Sequence, residues 1–185
     1  MFKQTRLYKI FNQKQLRRGK ASKSLRISEA DRSDLDATAR PIEIVCYALI
    51  PNHYHLLVKQ KKENGISKFM HKLGLGYTAY INSKYNRTGA LFSGTFKSVQ
   101  IKTESHWLKI SCYINGNPEI HKIAKADEWI WSSYLDYIGK RNGRLCDKDI
   151  VLRDFKNIEE YIDLTEAVIK DSRDAKGELK KYYLE

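Results

Sequence analysis

Residues 42–58 read IEIVCYALIPNHYHLLV, and this stretch decides the fold. Its first nine residues are mostly apolar and partly β-branched, which is typical of a buried strand. Pro51 and Asn52 interrupt the apolar run, as turn residues do. Residues 53–58 read as a second strand, so the stretch predicts a β-hairpin.

The sequence after the hairpin predicts a helix, a strand and a further helix. Apolar residues recur at helical spacing over 66–81, which predicts an amphipathic helix that ends near 85–89. Residues 95–102 alternate imperfectly, as an exposed strand would. A second helix is predicted over 104–117, because Pro118 disfavours its continuation. This order predicts an α+β fold, an antiparallel sheet with helices packed on one face.

Three segments differ in composition along the chain. Residues 1–40 are polar and basic, and we expect them to be partly ordered. Residues 41–140 hold the predicted core elements. Residues 141–185 form a charged extension with a helix predicted over 158–170, and this extension reads as auxiliary.

The balance of charge is strongly basic. Lys and Arg number 34 and Asp and Glu 22 among 185 residues, which gives a formal net charge of +12 at pH 7. Such an excess attracts polyanions, so nucleic acid is the first partner to expect. The alternative is that the charge only keeps the protein soluble.

Cysteine usage and hydropathy bear on the compartment. Cys46, Cys112 and Cys146 are widely spaced and odd in number, which fits a reducing cytosol better than a disulfide framework. No apolar run approaches the roughly 20 residues needed to cross a bilayer, so no membrane partner is expected.

Two histidines in the second strand are candidate metal ligands. Strand side chains alternate between faces, so His53 and His55 project from the same side, with Tyr54 on the other. Two imidazoles placed this way can bind one ion. A pair of ordinary, partly buried histidines is the alternative that His-x-His alone leaves open.

The second helix adds two further candidates. Tyr113 and Asn117 are four residues apart and therefore lie about 40° apart on nearly the same helix face. The Asn117 amide oxygen would suit Mg²⁺ or Mn²⁺ as a third ligand, and Tyr113 would then face a polarised phosphate. Otherwise Tyr113 is a core or rim aromatic and Asn117 a helix C-cap before Pro118.

Five motifs in this order resemble the single-tyrosine HUH transposases, in particular the REP-associated tyrosine transposases and their insertion-sequence relatives. HUH denotes His, a bulky apolar residue and His. The motifs are CYALIPNHYHLL at 46–57, GISKFM at 65–70, NRTGALFSGTFKS at 86–98, YINGNP at 113–118 and WSSY at 131–134.

The resemblance implies a ferredoxin-like (RRM-like) sheet that carries His53 and His55, with 41–140 as the catalytic domain. Tyr113 matches the family's nucleophile and Asn117 its amide ligand to a Mg or Mn cation. Such enzymes cleave single-stranded or hairpin DNA through a 5′-phosphotyrosine and rejoin it, without an organic cofactor. The implied protein is a prokaryotic, cytoplasmic and nucleoid-associated monomer or homodimer.

The chain also departs from the family pattern. Members usually begin with a strand whose motif resembles Tyr-His-x-x-x-Arg-Gly, and nothing before Leu7 matches it, so the first strand is either missing or replaced by the basic N-terminus. Cys112 and Thr95 stand where basic residues are common. Asn115 and Gly116 replace the usual His-Leu, and Gly116 is expected to loosen the helix by up to about 1 kcal/mol relative to Ala.

Rings and cations alternate over residues 77–97, a mixture that stacks bases and follows a phosphate backbone. The predicted DNA-binding residues are Arg87, Lys97, Lys84 and Phe92, whereas Tyr77, Tyr80 and Phe96 are expected in the core. Three functions remain open at this point: a DNA nicking and joining enzyme, an inactive DNA-binding relic, and a two-histidine metal-dependent phosphodiesterase that uses water.

Overall fold

The chain folds around one antiparallel sheet. The computed structural model describes residues 7–13, 40–101 and 103–174. Four strands form the sheet in the order β2-β3-β1-β4: β1 Leu7–Gln13, β2 Ile42–Ile50, β3 His53–Gln60 and β4 Lys97–Ile101. This is the strand order of a ferredoxin-like sheet, so the predicted α+β fold class is confirmed.

Five helices accompany the sheet in the described residues: α1 Gly65–Lys84, α2 Glu104–Ile120, α3 Tyr134–Tyr137, α4 Asp149–Leu152 and α5 Ile158–Asp174. The hairpin predicted over 42–58 and the amphipathic helix predicted over 66–81 therefore form. None of the helices in this part of the chain is long and apolar enough to span a bilayer.

The first strand of the sheet is present. β1 pairs with β3 on one side, from Leu7 opposite Lys59 to Gln13 opposite His53, and with β4 on the other. The basic N-terminus therefore supplies the strand that the missing motif left in doubt. β1 lies beside the histidine strand, which leaves β2 and β4 as the sheet edges.

Helices cover both faces of the sheet, not one face as predicted. Leu56 and Val58 pack with Met70 of α1, whereas Leu57 belongs to a second cluster with Ile114 of α2. Adjacent strand residues point to opposite faces, so α1 and α2 lie on opposite sides of β3. This arrangement explains the unbroken apolar run in β3, because a strand that is buried on both faces needs no alternation of apolar and polar residues.

The second helix continues beyond its predicted end at Asn117. Pro118 lies inside α2, and the last turn is closed by the backbone N–H of His121, which donates to the Asn117 carbonyl at 3.0 Å. Pro118 cannot donate to the carbonyl of the preceding turn, but the residues that follow it still make helical hydrogen bonds. Asn117 is therefore an interior helix residue and not a C-cap.

The C-terminal extension shares the core of the sheet. Val151, Tyr161 and Ile169 are buried in one cluster with Val45 and Ile114. The boundaries predicted at residues 40 and 140 therefore do not separate independent cores, since β1 completes the sheet and α5 packs on α2.

Candidate functional site

Two imidazoles meet on the α2 face of β3. His53 is half-buried and His55 fully buried, and their ring centroids are 4.9 Å apart in an edge-to-face arrangement. The alternation of the strand places both on one side, as predicted. The two rings are near enough to serve one ion together.

A neighbouring amide fixes the orientation of His53. Nδ1 of His53 lies 2.8 Å from Oδ1 of Asn52, in the turn that starts β3. An amide oxygen only accepts hydrogen bonds, so Nδ1 carries the proton in this arrangement. A histidine in this tautomer binds a metal through Nε2.

Tyr113 lies beside this histidine pair. Its ring centroid is 6.0 Å from that of His55, and its side chain is 2% exposed. The contact forms because α2 packs against β2 and β3 on the same face of the sheet. The tyrosine and the histidines are distant in sequence, and the fold brings them together.

Cys112 precedes the tyrosine but is no rival nucleophile. Burial raises the pKa of its thiol to about 11, more than neighbouring hydrogen bonds lower it. A thiol with that pKa carries little thiolate at neutral pH.

Asn117 lies one helical turn beyond Tyr113. It is fully buried, and neither Oδ1 nor Nδ2 has a hydrogen-bond partner among the described residues. Leaving such a group unsatisfied costs about 1–3 kcal/mol. A cation coordinated by the amide oxygen would remove part of this cost, so the burial of Asn117 is consistent with a role as a metal ligand.

His121, which the sequence-based prediction overlooked, is the next residue in this series. It follows Asn117 by four positions at the end of α2, and its ring centroid is 5.2 Å from that of His53. The spacing of Tyr113, Asn117 and His121 was a signal available in the sequence, because positions four apart share a helix face.

His53, His55 and Asn117 suit a divalent cation by their chemistry. Two imidazoles and an amide oxygen form a mixed set of the kind that Mn²⁺ or Mg²⁺ accepts. No group of three or more His, Cys, Asp or Glu side chains within the described ranges is already arranged to hold a metal. The third donor here is an amide, which lies outside those residue types.

Helix α5 fixes the position of α2. A Cβ at Gly116 would lie 2.6 Å from Cγ1 of Ile169, so only glycine allows this close approach. Nδ2 of Asn115 donates to the Tyr161 hydroxyl at 2.8 Å, and the Ser133 hydroxyl donates to Oδ1 of Asn115 at 2.6 Å. The two departures from the family pattern at 115–116 thus serve to dock α5, and the expectation that Gly116 loosens α2 is not supported.

The opposite face of the sheet carries a groove of about 1100 Å³ between α1 and residues 90–96. Tyr80, which is 55% exposed, and Phe92 are among its lining residues. Nζ of Lys84 lies 5.6 Å from the ring centroid of Tyr80. Tyr77 and Tyr80 were expected in the core, and their exposure corrects that prediction.

The other residues predicted to bind DNA differ in position. Phe92 is half-buried and packs its ring against Tyr54 at 5.9 Å. Lys97 is exposed at the start of the edge strand β4. Arg87 is only 6% exposed, and its Nη2 donates to the Ala90 carbonyl at 3.3 Å. The burial of Arg87 supports a role in shaping the loop and not the predicted phosphate contact.

Comparisons with known proteins place the chain beside transposases. A family model described as "Transposase IS200 like" matches residues 35–117, which include His53, His55, Tyr113 and Asn117. A solved structure described as "Structure of the REP associates tyrosine transposase bound to a REP hairpin" matches with a TM-score of 0.55 and 15% identity, over 76% of this chain and 87% of that chain. At this identity the likeness shows the fold alone. No curated protein matches.

Proposed function

We propose, from the match of residues 35–117 to the IS200-like transposase model, that this chain cleaves and rejoins single-stranded DNA through Tyr113. One observation carries the proposal: the Tyr113 ring lies 6.0 Å from His55, beside the His53–His55 pair. A nucleophile must lie next to the groups that activate it, and the three side chains meet that condition.

The proposed reaction exchanges one phosphodiester for another. The phenolic oxygen of Tyr113 attacks the scissile phosphorus, a tyrosine O–P bond forms, and the bond from phosphorus to the 3′-oxygen breaks. Tyr113 loses its proton and the leaving 3′-oxygen gains one, so the products are a 5′-phosphotyrosine and a free 3′-hydroxyl. Attack by another 3′-hydroxyl reverses the step, and the covalent bond conserves the energy needed for rejoining.

His53, His55 and Asn117 would hold the divalent cation, Mg or Mn, in this proposal. Bound there, the cation would polarise the phosphate and favour the phenolate form of a nearby tyrosine. Asn52 supports this role because its amide oxygen lies 2.8 Å from Nδ1 of His53 and orients the ring.

Two observations support an active enzyme over an inactive relic. The relic hypothesis depended on a missing first strand and on a weakened tyrosine helix. β1 fills the strand position, and Gly116 is the contact point of Ile169. Neither feature is therefore an argument against catalysis.

The proposed substrate is a DNA hairpin with an unpaired flank. The solved relative is described as bound to a REP hairpin, and here the exposed Tyr80 offers a surface for base stacking. Lys84 and Lys97 are both exposed and suit contacts with backbone phosphates. The Phe92 ring lies 6.2 Å from the Tyr77 ring, which lies 6.4 Å from that of Tyr80, so Phe92 would support Tyr80 through Tyr77.

The test is incubation of the full chain with a labelled hairpin DNA and Mn²⁺ or Mg²⁺, followed by a denaturing gel. Wild type should give a nicked product and a slow-migrating covalent adduct, and Tyr113→Phe should give neither. Tyr134→Phe, a change at another buried tyrosine, is the control and should retain both. Nicking that persists in Tyr113→Phe would assign the chemistry to water, and binding without either product over several hairpins would favour the relic.

A further inference from the structure

His121 occupies a position that the family comparison does not cover. It lies four residues beyond the end of the matched segment 35–117 and terminates α2 as its C-cap. Its side chain is half-buried and packs against the active-site face. The residue is therefore a property of this chain and not of the matched segment.

The contact of His121 with His53 repeats the geometry of the histidine pair. His53 and His121 have ring centroids 5.2 Å apart and ring planes at 79°, and His53 and His55 have centroids 4.9 Å apart and planes at 86°. His53 thus lies between two imidazoles that approach it in nearly the same way. If the first pair can share an ion, the second pair meets the same distance requirement.

The direction of α2 strengthens this reading. Tyr113 contacts His55 at one end of the site, and His121 contacts His53 at the other. Asn117 lies midway between them on the same helix face, four residues from each. The unsatisfied amide of Asn117 is therefore bracketed by two contacts to the histidine strand.

We propose that His121 is a further nitrogen ligand of the divalent cation, in addition to His53, His55 and Asn117. The proposal rests on the metal site of the proposed function. A third imidazole raises the affinity for later first-row ions, which prefer nitrogen, and does little for Mg²⁺, which prefers oxygen. The chain should accordingly prefer Co²⁺ or Ni²⁺ over Mg²⁺ more strongly than a site with two imidazoles.

In this proposal the His121 side chain reorients toward the ion when the ion binds. The three imidazoles are not prearranged as a ligand trio, as no such group occurs in the described ranges. His121 ends its helix, however, and Lys122 after it adopts a left-handed φ of 57° that turns the chain away. The imidazole is therefore held by a helix end and not by the packed interior of α2.

The test is titration of the full chain, without DNA, with Co²⁺ and separately with Mg²⁺, followed by visible absorption and calorimetry. His121→Phe keeps a ring against His53 but removes the nitrogen, and His71→Phe, on exposed α1, is the matched control. We expect His121→Phe to weaken Co²⁺ binding roughly 10- to 100-fold and to change the cobalt absorption bands, with Mg²⁺ binding little altered. The control should bind both ions as wild type does.

Unchanged Co²⁺ affinity and bands in His121→Phe would overturn the proposal and assign His121 to ring packing alone. Absence of Co²⁺ binding in wild type would overturn it as well. Circular dichroism checks the fold, and His121→Gln, which keeps a polar donor atom, should weaken Co²⁺ binding less than Phe if ligation is the cause.

The Tyr113 adduct separates this inference from the proposed function. If wild type forms the adduct while His121→Phe binds Co²⁺ normally, the His121 ligand is wrong and the nicking activity stands. If Co²⁺ binding falls as expected but no hairpin yields an adduct, the ligand is right and the nicking activity is wrong.

Discussion

The two faces of the sheet receive alternate residues of the same strand and differ in how completely they are covered. His53 and His55 point toward α2, where Tyr113 is 2% exposed and α5 packs behind the helix. Tyr54 points toward α1, where Tyr80 is 55% exposed beside an open groove. The closed face can hold reacting groups in fixed positions, and the open face can offer rings and cations to a long polymer.

The contrast follows from what packs on each helix. α2 is covered by α5 through Gly116 and the hydrogen bond from Asn115 to Tyr161. α1 has no comparable cover among the described residues, and only four of its 20 residues are buried: Gly65, Ile66, Met70 and Ile81. A single extra helix therefore makes one face an interior and leaves the other a surface.

The largest expected effect is the loss of a buried aromatic on the closed face. Tyr161→Ala should lower the free energy of unfolding by about 3–5 kcal/mol, because it leaves a cavity and strands the Asn115 amide. Tyr80→Ala, the matched change on the open face, should alter it by no more than about 0.5 kcal/mol. Urea denaturation of both variants measures the difference, and equal losses would break the comparison.

Two helix glycines should respond with opposite signs to the same substitution. Gly116→Ala places a Cβ 2.6 Å from Ile169 and should destabilise the protein by about 1–3 kcal/mol. Gly76→Ala on α1 meets nothing within 4 Å and should stabilise it by about 0.5–1 kcal/mol. In an Ile169→Ala background the cost at Gly116 should largely disappear, and a cost that persists there would show that α5 does not dock on this glycine.

Elements of the fold that local sequence signals determine could be predicted from the sequence, whereas those that depend on tertiary contacts could not. The hairpin over 42–58 and helix α1 follow from periodicity and turn residues, so their prediction was confirmed. β1 was left in doubt because the family's first-strand motif is absent before Leu7, and its pairing with β3 and β4 is what makes it a strand.

The candidate site shows the same division. His53 and His55 could be predicted as neighbours because side chains two residues apart on a strand project from the same face. The meeting of Tyr113 with His55 depends on how α2 packs, and no local rule places a helix on a particular sheet face. Gly116 looked like a weak point in the sequence because its partner, Ile169, is 53 residues away.

On the open face, removal of an exposed ring should weaken DNA binding without affecting the fold. Tyr80→Ala should reduce affinity for a hairpin with an unpaired flank by roughly 1–3 kcal/mol, the usual contribution of one stacked base. Leu145→Ala, at another exposed apolar residue, is the control. Fluorescence anisotropy measures both, and unchanged binding in Tyr80→Ala would remove the groove from the DNA surface.

The smallest effect concerns a single cation of the open face. Lys84→Gln should weaken binding about equally for all DNA sequences and lower the slope of log affinity against log salt concentration by about one, because one phosphate contact is lost. Lys170→Gln, an exposed lysine on α5, should leave the slope unchanged. Equal slopes for wild type and Lys84→Gln would place the phosphate contacts elsewhere.

The central claim is that Tyr113, among the 12 tyrosines of the chain, becomes covalently joined to DNA. The direct measurement is digestion of the protein–DNA adduct by trypsin and nuclease, followed by mass spectrometry of the modified peptide. We expect a 5′-phosphonucleotide on Tyr113 and on no other residue. Nicked DNA without any modified peptide, or a modification on a different tyrosine, would contradict it.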